Sequence, residues 1–285
     1  MSAMSQTPID TARREQLLRD GFCRFDHVLS NEMLTRLRDA SDRMVNAFPP
    51  EQADKLRAQG SLLPTTGDPI FADLVAWPPA LNALASLGYA RPTFSDGYVI
   101  AKPGHSPRLF WHYDWFAWQD PYSFGPDPAQ LFAMYYLSDT SLENGCLRVI
   151  PGSHVTHNSL HDELREPHSA VLSQARDLSL PEFSTRPDEV DVPARAGDLL
   201  VGDARLLHAA HANGTGERRT LITLWYQPDL RALPERIQAQ MASKVQKTPA
   251  DWPQEAQEKY TGMLATYAGR AVPYERKLYP RPSGA

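Results

Sequence analysis

The sequence predicts a mainly β protein with flanking helices, and three observations support this fold class. Segments rich in β-branched and aromatic residues recur through the middle of the chain, separated by loops rich in Pro and Gly. Helical periodicity is found toward the two ends of the chain instead. No internal repeat or low-complexity tract is present. The predicted strands are residues 93–102, 109–115, 129–137, 146–150, 189–192, 198–201 and 220–227.

Two predicted helices precede the strands and two follow them. The predicted helices are residues 10–19, 31–47, 233–245 and 254–267. Ser30 is a favourable N-cap for the second helix, and Pro49-Pro50 ends it. Its apolar residues recur at the spacing of one helix face; they are Met33, Leu34, Leu37, Met44 and Val45. The long polar stretch 156–187 is interpreted as a lid or a helix-containing insertion.

Composition favours one domain over residues 1–285, because 42% hydrophobic residues suffice for a sizeable core. The formal net charge of −5, without a basic block, argues against nucleic acid or an anionic membrane as a partner. Neither a leader-like N-terminus nor a run of about 18 apolar residues is evident. Cys23 and Cys146 are expected to be buried thiols. We therefore expect a cytoplasmic protein.

His112 and Asp114 are the first candidate metal ligands. They are separated by one residue in a strand-like segment, so their side chains would share one face about 6.6 Å apart along the strand. An imidazole and a carboxylate suit a divalent transition ion. A second imidazole would complete the facial triad of non-haem iron oxygenases, with positions left open for a cosubstrate and oxygen.

Of the nine histidines, His208 is the best candidate for the third ligand, because it ends an apolar strand-like segment. Eleven residues later, Arg219 begins the last predicted strand, where a fixed guanidinium could bind a carboxylate in bidentate fashion. Two alternatives remain at this point. Arg218 could replace Arg219, since only one of two neighbouring strand residues can face inward. His211 could replace His208, although its position beside Asn213-Gly214 suggests a solvated loop histidine.

At these residues, and in the segment 142–154 that contains Asn144-Gly145 and His154, the sequence resembles the phytanoyl-CoA dioxygenase family of iron(II)- and 2-oxoglutarate-dependent oxygenases. The resemblance extends from about residue 20 to about residue 228 and implies a double-stranded β-helix, the cupin-like jelly roll. A helical extension would follow over about 229–285. The resemblance implies that the iron ligands are His112, Asp114 and His208, and that Arg219 binds the distal carboxylate of 2-oxoglutarate.

The implied chemistry uses Fe(II), 2-oxoglutarate and O2 to oxidise an unactivated C–H bond of a small molecule, with release of succinate and CO2. Asp114 speaks against halogenation, because halogenating relatives lack this carboxylate. Hydroxylation, desaturation and ring closure remain open, as do the substrate and the oligomeric state. Two other classes are retained as alternatives: a non-catalytic jelly-roll protein that binds a metabolite, and a zinc-dependent hydrolase or isomerase on the same scaffold.

Relatives contact cosubstrate and substrate through strand positions next to these residues. On this basis Lys102 and Met134 are predicted to contact the cosubstrate, although Lys102 could instead be a solvated strand end. The predicted substrate contacts are Tyr98, Gln130 and Phe116. By strand parity Trp111, Tyr113 and Trp115 belong to the core. His154 is predicted to have a structural role in its turn. The histidines of the polar stretch are predicted to be solvated; these are His157, His161 and His168.

Overall fold

The computed structural model describes residues 7–274, and two antiparallel sheets form its centre. The strands are β1 (Phe22–Phe25), β2 (Leu63–Pro64), β3 (Thr93–Lys102), β4 (Leu109–His112), β5 (Leu131–Tyr136), β6 (Leu147–Val149), β7 (Val190–Val192), β8 (Leu199–Asp203), β9 (His208–Ala210) and β10 (Arg219–Gln227). One sheet has the order β1-β8-β5-β10-β3-β2, and the other has the order β4-β9-β6-β7.

The inner faces of the two sheets pack on each other. Phe132 and Leu221 of the six-stranded sheet belong to the same buried apolar cluster as Leu147 and Val149 of the four-stranded sheet. Period-2 alternation explains the arrangement, because alternate residues of each strand face inward. Two antiparallel sheets packed in this way form a jelly roll, so the predicted fold is confirmed.

Helices cover the outer face of the larger sheet. In chain order the helices are α1 (Thr11–Asp20), α2 (Asn31–Asn46), α3 (Pro50–Lys55), α4 (Ile70–Val75), α5 (Pro78–Ser86), α6 (Leu160–Glu163), α7 (Ala170–Gln174), α8 (Glu235–Lys244) and α9 (Gln254–Thr261). Leu37 of α2 and Phe71 of α4 share a fully buried cluster with the outward-facing Val99, Ile222 and Leu224. This packing fixes which residues of β3 and β10 face outward.

The predicted N-cap of α2 is confirmed, since Ser30 Oγ accepts a hydrogen bond from the Met33 N–H at 3.1 Å. Helices α3, α4 and α5 were not expected from the sequence. They span 6 to 9 residues, too few for a repeating apolar stripe to be recognised. Each begins with a proline or directly after one, which is a favourable position for a residue without a backbone N–H.

Strand β4 is shorter than the predicted strand 109–115, because it ends at His112. The backbone N–H groups of Asp114 and Trp115 both donate to the carbonyl of Ala204, at 2.8 and 2.9 Å, instead of continuing the ladder. Asp114 therefore lies in a bend that follows the strand. The expectation that His112 and Asp114 share one strand face is wrong, although the turn still brings the two side chains together.

The polar stretch 156–187 contains the short helices α6 and α7 and a 3-10 turn at Pro181–Phe183. Helices α8 and α9 follow the last strand, near the positions predicted for them. Two segments lie outside the described residues. They are residues 275–285, the end of the expected helical extension, and residues 1–6, part of the N-terminus for which no leader was predicted. Within residues 7–274, no helix has the length and apolar character needed to cross a membrane.

Candidate metal centre and its cavity

A cavity of about 300 Å³ lies between the two sheets and is lined by residues from both. Strands β3 and β10 contribute four cross-strand pairs to its wall. In order, these pairs are Lys102 with Arg219, Ile100 with Leu221, Tyr98 with Thr223, and Asp96 with Trp225. The cavity wall thus runs from a basic end, through an apolar and neutral middle, to an end with a carboxylate and an indole.

His112, Asp114 and His208 meet on the opposite side of this cavity. The strand register places His112 of β4 directly across from His208 of β9. The Nε2 atoms of His112 and His208 lie 3.8 and 3.9 Å from the two carboxylate oxygens of Asp114. Bonds of about 2.1 Å to one ion place two donor atoms about 3 to 4 Å apart. The three side chains can therefore bind a single metal ion, and all three predicted ligands come together.

Backbone carbonyls orient both imidazoles. The Nδ1 atoms of His112 and His208 lie 3.0 Å from the carbonyl oxygens of Phe110 and Leu206. A carbonyl oxygen can only accept, so each Nδ1 carries the proton and each Nε2 keeps its lone pair directed toward Asp114. Burial, followed by the charges of His208 and His168, lowers the pKa of His112 well below its usual value. The ring is therefore neutral near pH 7, as a metal ligand requires.

Trp225 contacts Asp114, the carboxylate ligand. Its indole Nε1–H donates a 2.9 Å hydrogen bond to Asp114 Oδ2. Trp225 was not expected at the site, although it shares the inward face of β10 with Arg219 by alternation. This hydrogen bond fixes one carboxylate oxygen and leaves the other directed toward His112.

Arg219 is buried, with 4% of its surface exposed, and its side chain lines the cavity. Among the described residues, its Nε and Nη1 atoms have no hydrogen-bond partner. Burial lowers the pKa of Arg219, although a guanidinium remains charged in proteins. Arg218 instead points away from the cavity, toward Asp42 and Asn46. A buried guanidinium with open N–H groups is complementary to a carboxylate.

Lys102 lies opposite Arg219 and is buried, so the alternative of a solvated strand end is wrong. Its Nζ donates to the carbonyls of Ala58 and Pro107, at 2.8 and 2.5 Å. Burial and the charge of Arg219 lower the pKa of Lys102 well below its usual value. Gly145 allows this close packing: its φ is +93°, and an added Cβ would lie 3.2 Å from Lys102 Cδ.

The structure separates the remaining predicted contacts into two groups. Tyr98 and Met134 line the cavity, as does Lys102. Gln130 and Phe116 are fully buried but do not line it. Gln130 precedes β5, and Phe116 packs in a separate apolar cluster, because β4 ends before the parity argument can reach it.

Several other side chains also have informative positions. The three predicted core aromatics are confirmed as buried; they are Trp111, Tyr113 and Trp115. His154 has its predicted structural contact, 3.1 Å from the Leu18 carbonyl. His211 is not simply solvated, because its Nε2 lies 2.6 Å from Asp191 Oδ1. His168 lines the cavity and His161 is buried, so the expectation that both are merely solvated is wrong.

The sequence model of the family described as phytanoyl-CoA dioxygenase (PhyH) matches residues 17–221. A phytanoyl-CoA dioxygenase of Arabidopsis thaliana is 27% identical over 159 residues, which are 55% of this chain and 52% of the relative. The ectoine dioxygenase of Sphingopyxis alaskensis is 31% identical over 121 residues, which are 40% of this chain and 39% of that protein. The chain thus spans about half the length, or less, of these curated relatives.

Solved structures share the fold. The structure of EctD from S. alaskensis with bound Fe matches with a TM-score of 0.58 and 20% identity, covering 79% of each chain. HygX from Streptomyces hygroscopicus, with nickel and 2-oxoglutarate bound, matches with a TM-score of 0.59 and 19% identity, covering 78% of this chain and 88% of HygX. The family match covers most of the chain, including every residue of the candidate metal centre and Arg219. This chain belongs to the phytanoyl-CoA dioxygenase family.

Proposed function

We propose that this protein is an Fe(II)- and 2-oxoglutarate-dependent dioxygenase that oxidises a C–H bond of a small molecule. One observation carries the proposal: a triad of two histidines and one carboxylate shares a cavity with a buried arginine whose Nε and Nη1 lack partners. Two imidazoles and a carboxylate on one face of an ion leave the remaining coordination positions open for a cosubstrate and oxygen.

In this proposal His112, Asp114 and His208 are the iron ligands. Their donor atoms are close enough to share one ion, and both histidine tautomers present a lone pair to it. The charges also fit. A divalent ion and the Arg219 guanidinium together balance Asp114 and a dicarboxylate, so the occupied cavity would contain no net charge from these four groups.

Arg219 is the proposed partner of the far carboxylate of 2-oxoglutarate. Its open N–H groups would each gain a charge-assisted hydrogen bond in a buried setting. Lys102 and Met134 would contribute to the same part of the cavity, Lys102 beside Arg219 and Met134 opposite Thr223. Buried Thr223 Oγ1, which has no hydrogen-bond partner among the described residues, offers a further polar contact to a bound ligand.

With iron and 2-oxoglutarate bound, O2 would supply the oxidising power. One oxygen atom would enter succinate as 2-oxoglutarate loses CO2, and the other would oxidise the substrate. The residues of this chain would hold both groups, exclude water with the apolar wall of Ile100, Leu147 and Leu221, and direct one C–H bond toward the metal. Tyr98 is proposed to contact the substrate, since it lines the cavity beside Trp225. Misplacement of a reacting group by about 1 Å can cost about 10²-fold in rate, so orientation is the main task of these walls.

The domain organisation and the location are proposed on related grounds. One jelly roll, with α8 and α9 packed against its two apolar clusters, supports a single catalytic domain. Cys23 and Cys146 are both free and buried, which supports a reducing compartment such as the cytoplasm.

The proposal is tested by measuring 2-oxoglutarate binding and succinate formation with protein loaded anaerobically with Fe(II). Arg219→Met should weaken 2-oxoglutarate binding, because removing one partner of a buried charged pair costs about 2–5 kcal/mol, at least about 30-fold in Kd. Arg218→Met is the matched control and should leave the Kd unchanged, since Arg218 pairs at the surface.

Three outcomes would contradict the proposal. Equal effects of the two arginine variants would place the cosubstrate elsewhere. Zinc-dependent hydrolysis or isomerisation without any requirement for 2-oxoglutarate would favour the zinc-enzyme class. Failure of the wild-type protein to bind either Fe(II) or 2-oxoglutarate would favour a non-catalytic binding protein.

A further inference from the structure

Asp96 is a buried carboxylate in the cavity wall, with 5% of its surface exposed. It lies on the inner face of β3, directly opposite Trp225 of β10, and Trp225 in turn lies opposite Phe132 of β5. Trp225 donates to Asp114, and the Phe132 ring centroid is 5.0 Å from that of His208. Asp96 is therefore the neighbour, across one strand pair, of Trp225, which contacts the candidate metal centre.

A hydrogen-bond relay holds the Asp96 carboxylate in place. Gln227 Nε2 donates to Ser95 Oγ at 3.1 Å, and Ser95 Oγ donates to Asp96 Oδ1 at 2.6 Å. The Gln227 N–H occupies an acceptor position of the hydroxyl, and the Ser95 proton is directed at Asp96 because the Trp225 carbonyl is farther away, at 3.5 Å. The relay orients one carboxylate oxygen and leaves the second available to the cavity.

Asp96 has no ion-pair partner among residues 7–274, although a buried charge is costly without one. Lys102 and Arg219 are at the other end of the same strand pair. The six residues from Asp96 to Lys102 span about 20 Å at roughly 3.3 Å per residue, too far for direct pairing. Lys244 also lines the cavity. Its Nζ contacts the ring of Phe116, 4.4 Å from the centroid, and is not within ion-pair distance of Asp96.

Two aromatic residues neighbour Asp96 on the cavity wall. Tyr98 and Trp225, which follow and face Asp96 on the cavity wall, lie edge to face with their centroids 6.0 Å apart. A carboxylate next to a phenol and an indole on the same wall is an environment that favours organic cations, because the carboxylate is negatively charged and the face of an aromatic ring carries negative potential. The same environment disfavours a carboxylate or phosphate group of a ligand, because Asp96 would repel it.

We propose that Asp96 binds a positively charged nitrogen of the substrate, so that the substrate is a small molecule carrying an amine or guanidine group. This inference rests on the proposed function and adds the substrate class to it. The cation binds at the Asp96 end of the strand pair, the cosubstrate carboxylate binds at the Arg219 end, and the oxidised carbon lies between them, next to the metal centre.

The test uses four probes of equal chain length with Fe(II)- and 2-oxoglutarate-loaded protein under anaerobic conditions. The probes are butylamine, butylguanidine, neutral N-butylacetamide and anionic butanoate, and their Kd values are measured by ligand-observed NMR. We expect both cations to bind the wild-type protein at least about 10-fold more tightly than the neutral and anionic probes. Asp96→Asn, which keeps the shape of the side chain, should abolish this preference. Asp54→Asn, a carboxylate-to-amide change at the surface, should retain it.

The proposal is overturned if the wild-type protein binds N-butylacetamide or butanoate as well as the cations, if no probe binds, or if the preference survives in Asp96→Asn. The first result would also be found if Asp96 pairs internally with Lys244, because a neutralised carboxylate attracts no further cation. The Kd of 2-oxoglutarate, measured in the same samples, separates the two proposals. If 2-oxoglutarate binds without any preference for cations, only the substrate subsite is refuted; if 2-oxoglutarate does not bind the wild-type protein, the proposed function itself is refuted.

Discussion

Replacing Trp225 by Phe should weaken metal binding without removing a ligand. The change deletes the 2.9 Å hydrogen bond from the indole Nε1 to Asp114 Oδ2 but keeps an aromatic ring in the cavity wall. A hydrogen bond to a charged group contributes about 1.5–3 kcal/mol. That range corresponds to an increase of about 10- to 150-fold in the Kd for Fe(II), which agrees with the typical effect of residues that orient metal ligands. Competition against a chromophoric chelator, under anaerobic conditions, measures this Kd directly.

Trp77→Phe provides the matched control. The Trp77 indole also donates a 2.9 Å hydrogen bond, in this case to the carbonyl of Val28, and packs beside the apolar cluster under the helices. This variant should lower the midpoint of thermal unfolding and leave the Kd for Fe(II) unchanged. A Kd for Trp225→Phe within about twofold of the wild-type value would refute the idea that the indole orients Asp114. Equal losses in both variants would show that the effect is one of general stability.

Two further predictions concern stability. Arg205→Met should lower the free energy of unfolding by about 3–5 kcal/mol in urea titrations, because it leaves the buried carboxylate of Asp203 without its partner. In the structure Asp203 Oδ2 lies 2.6 Å from Arg205 Nη2. An unchanged unfolding midpoint would contradict this prediction. Asp73→Asn should destabilise the protein at neutral pH, with the loss shrinking as the pH falls below 3.8. Burial opposes ionisation of Asp73, but hydrogen bonds from Lys259 and Arg36 outweigh it and lower the pKa of the carboxyl. Its contribution to stability is therefore present above pH 3.8 and is lost as the carboxylate is protonated. A pH-independent loss would show that the side chain acts by packing alone.

Residue spacing limited the candidates for the site, and the family resemblance completed the prediction. Alternation along β10 required that only one of Arg218 and Arg219 face inward, and the structure places Arg219 in the cavity and Arg218 at the surface. His208 was expected to end an apolar strand, but β8 ends at Asp203, and His208 instead begins β9, across from His112. The alternation argument succeeds because a strand has a strict two-residue period, and long apolar strands define their inward face well.

The expectations that failed depend on where strands end. Asp114 reaches the metal centre through a bend held by the Ala204 carbonyl, a contact between residues ninety positions apart that no local pattern reveals. The early end of β4 also explains why Phe116 packs in a separate cluster. His168 lies between α6 and α7, and the polar stretch that contains these helices places it on the cavity wall. Such placements follow from tertiary packing rather than from the sequence around the residue.

The polarity of the cavity is tied to packing on the opposite face of the same sheet. Val99, Ile222 and Leu224 are fully buried against the helices, and each alternates with a residue of the cavity wall. A slip of one residue in β3 or β10 would expose these apolar side chains to the cavity and turn the charged ones into the helical layer. The hydrophobic cost of that slip keeps Asp96 and Arg219 at opposite ends of the cavity. The core beneath the helices therefore determines the direction in which a substrate and a dicarboxylate would lie along the site.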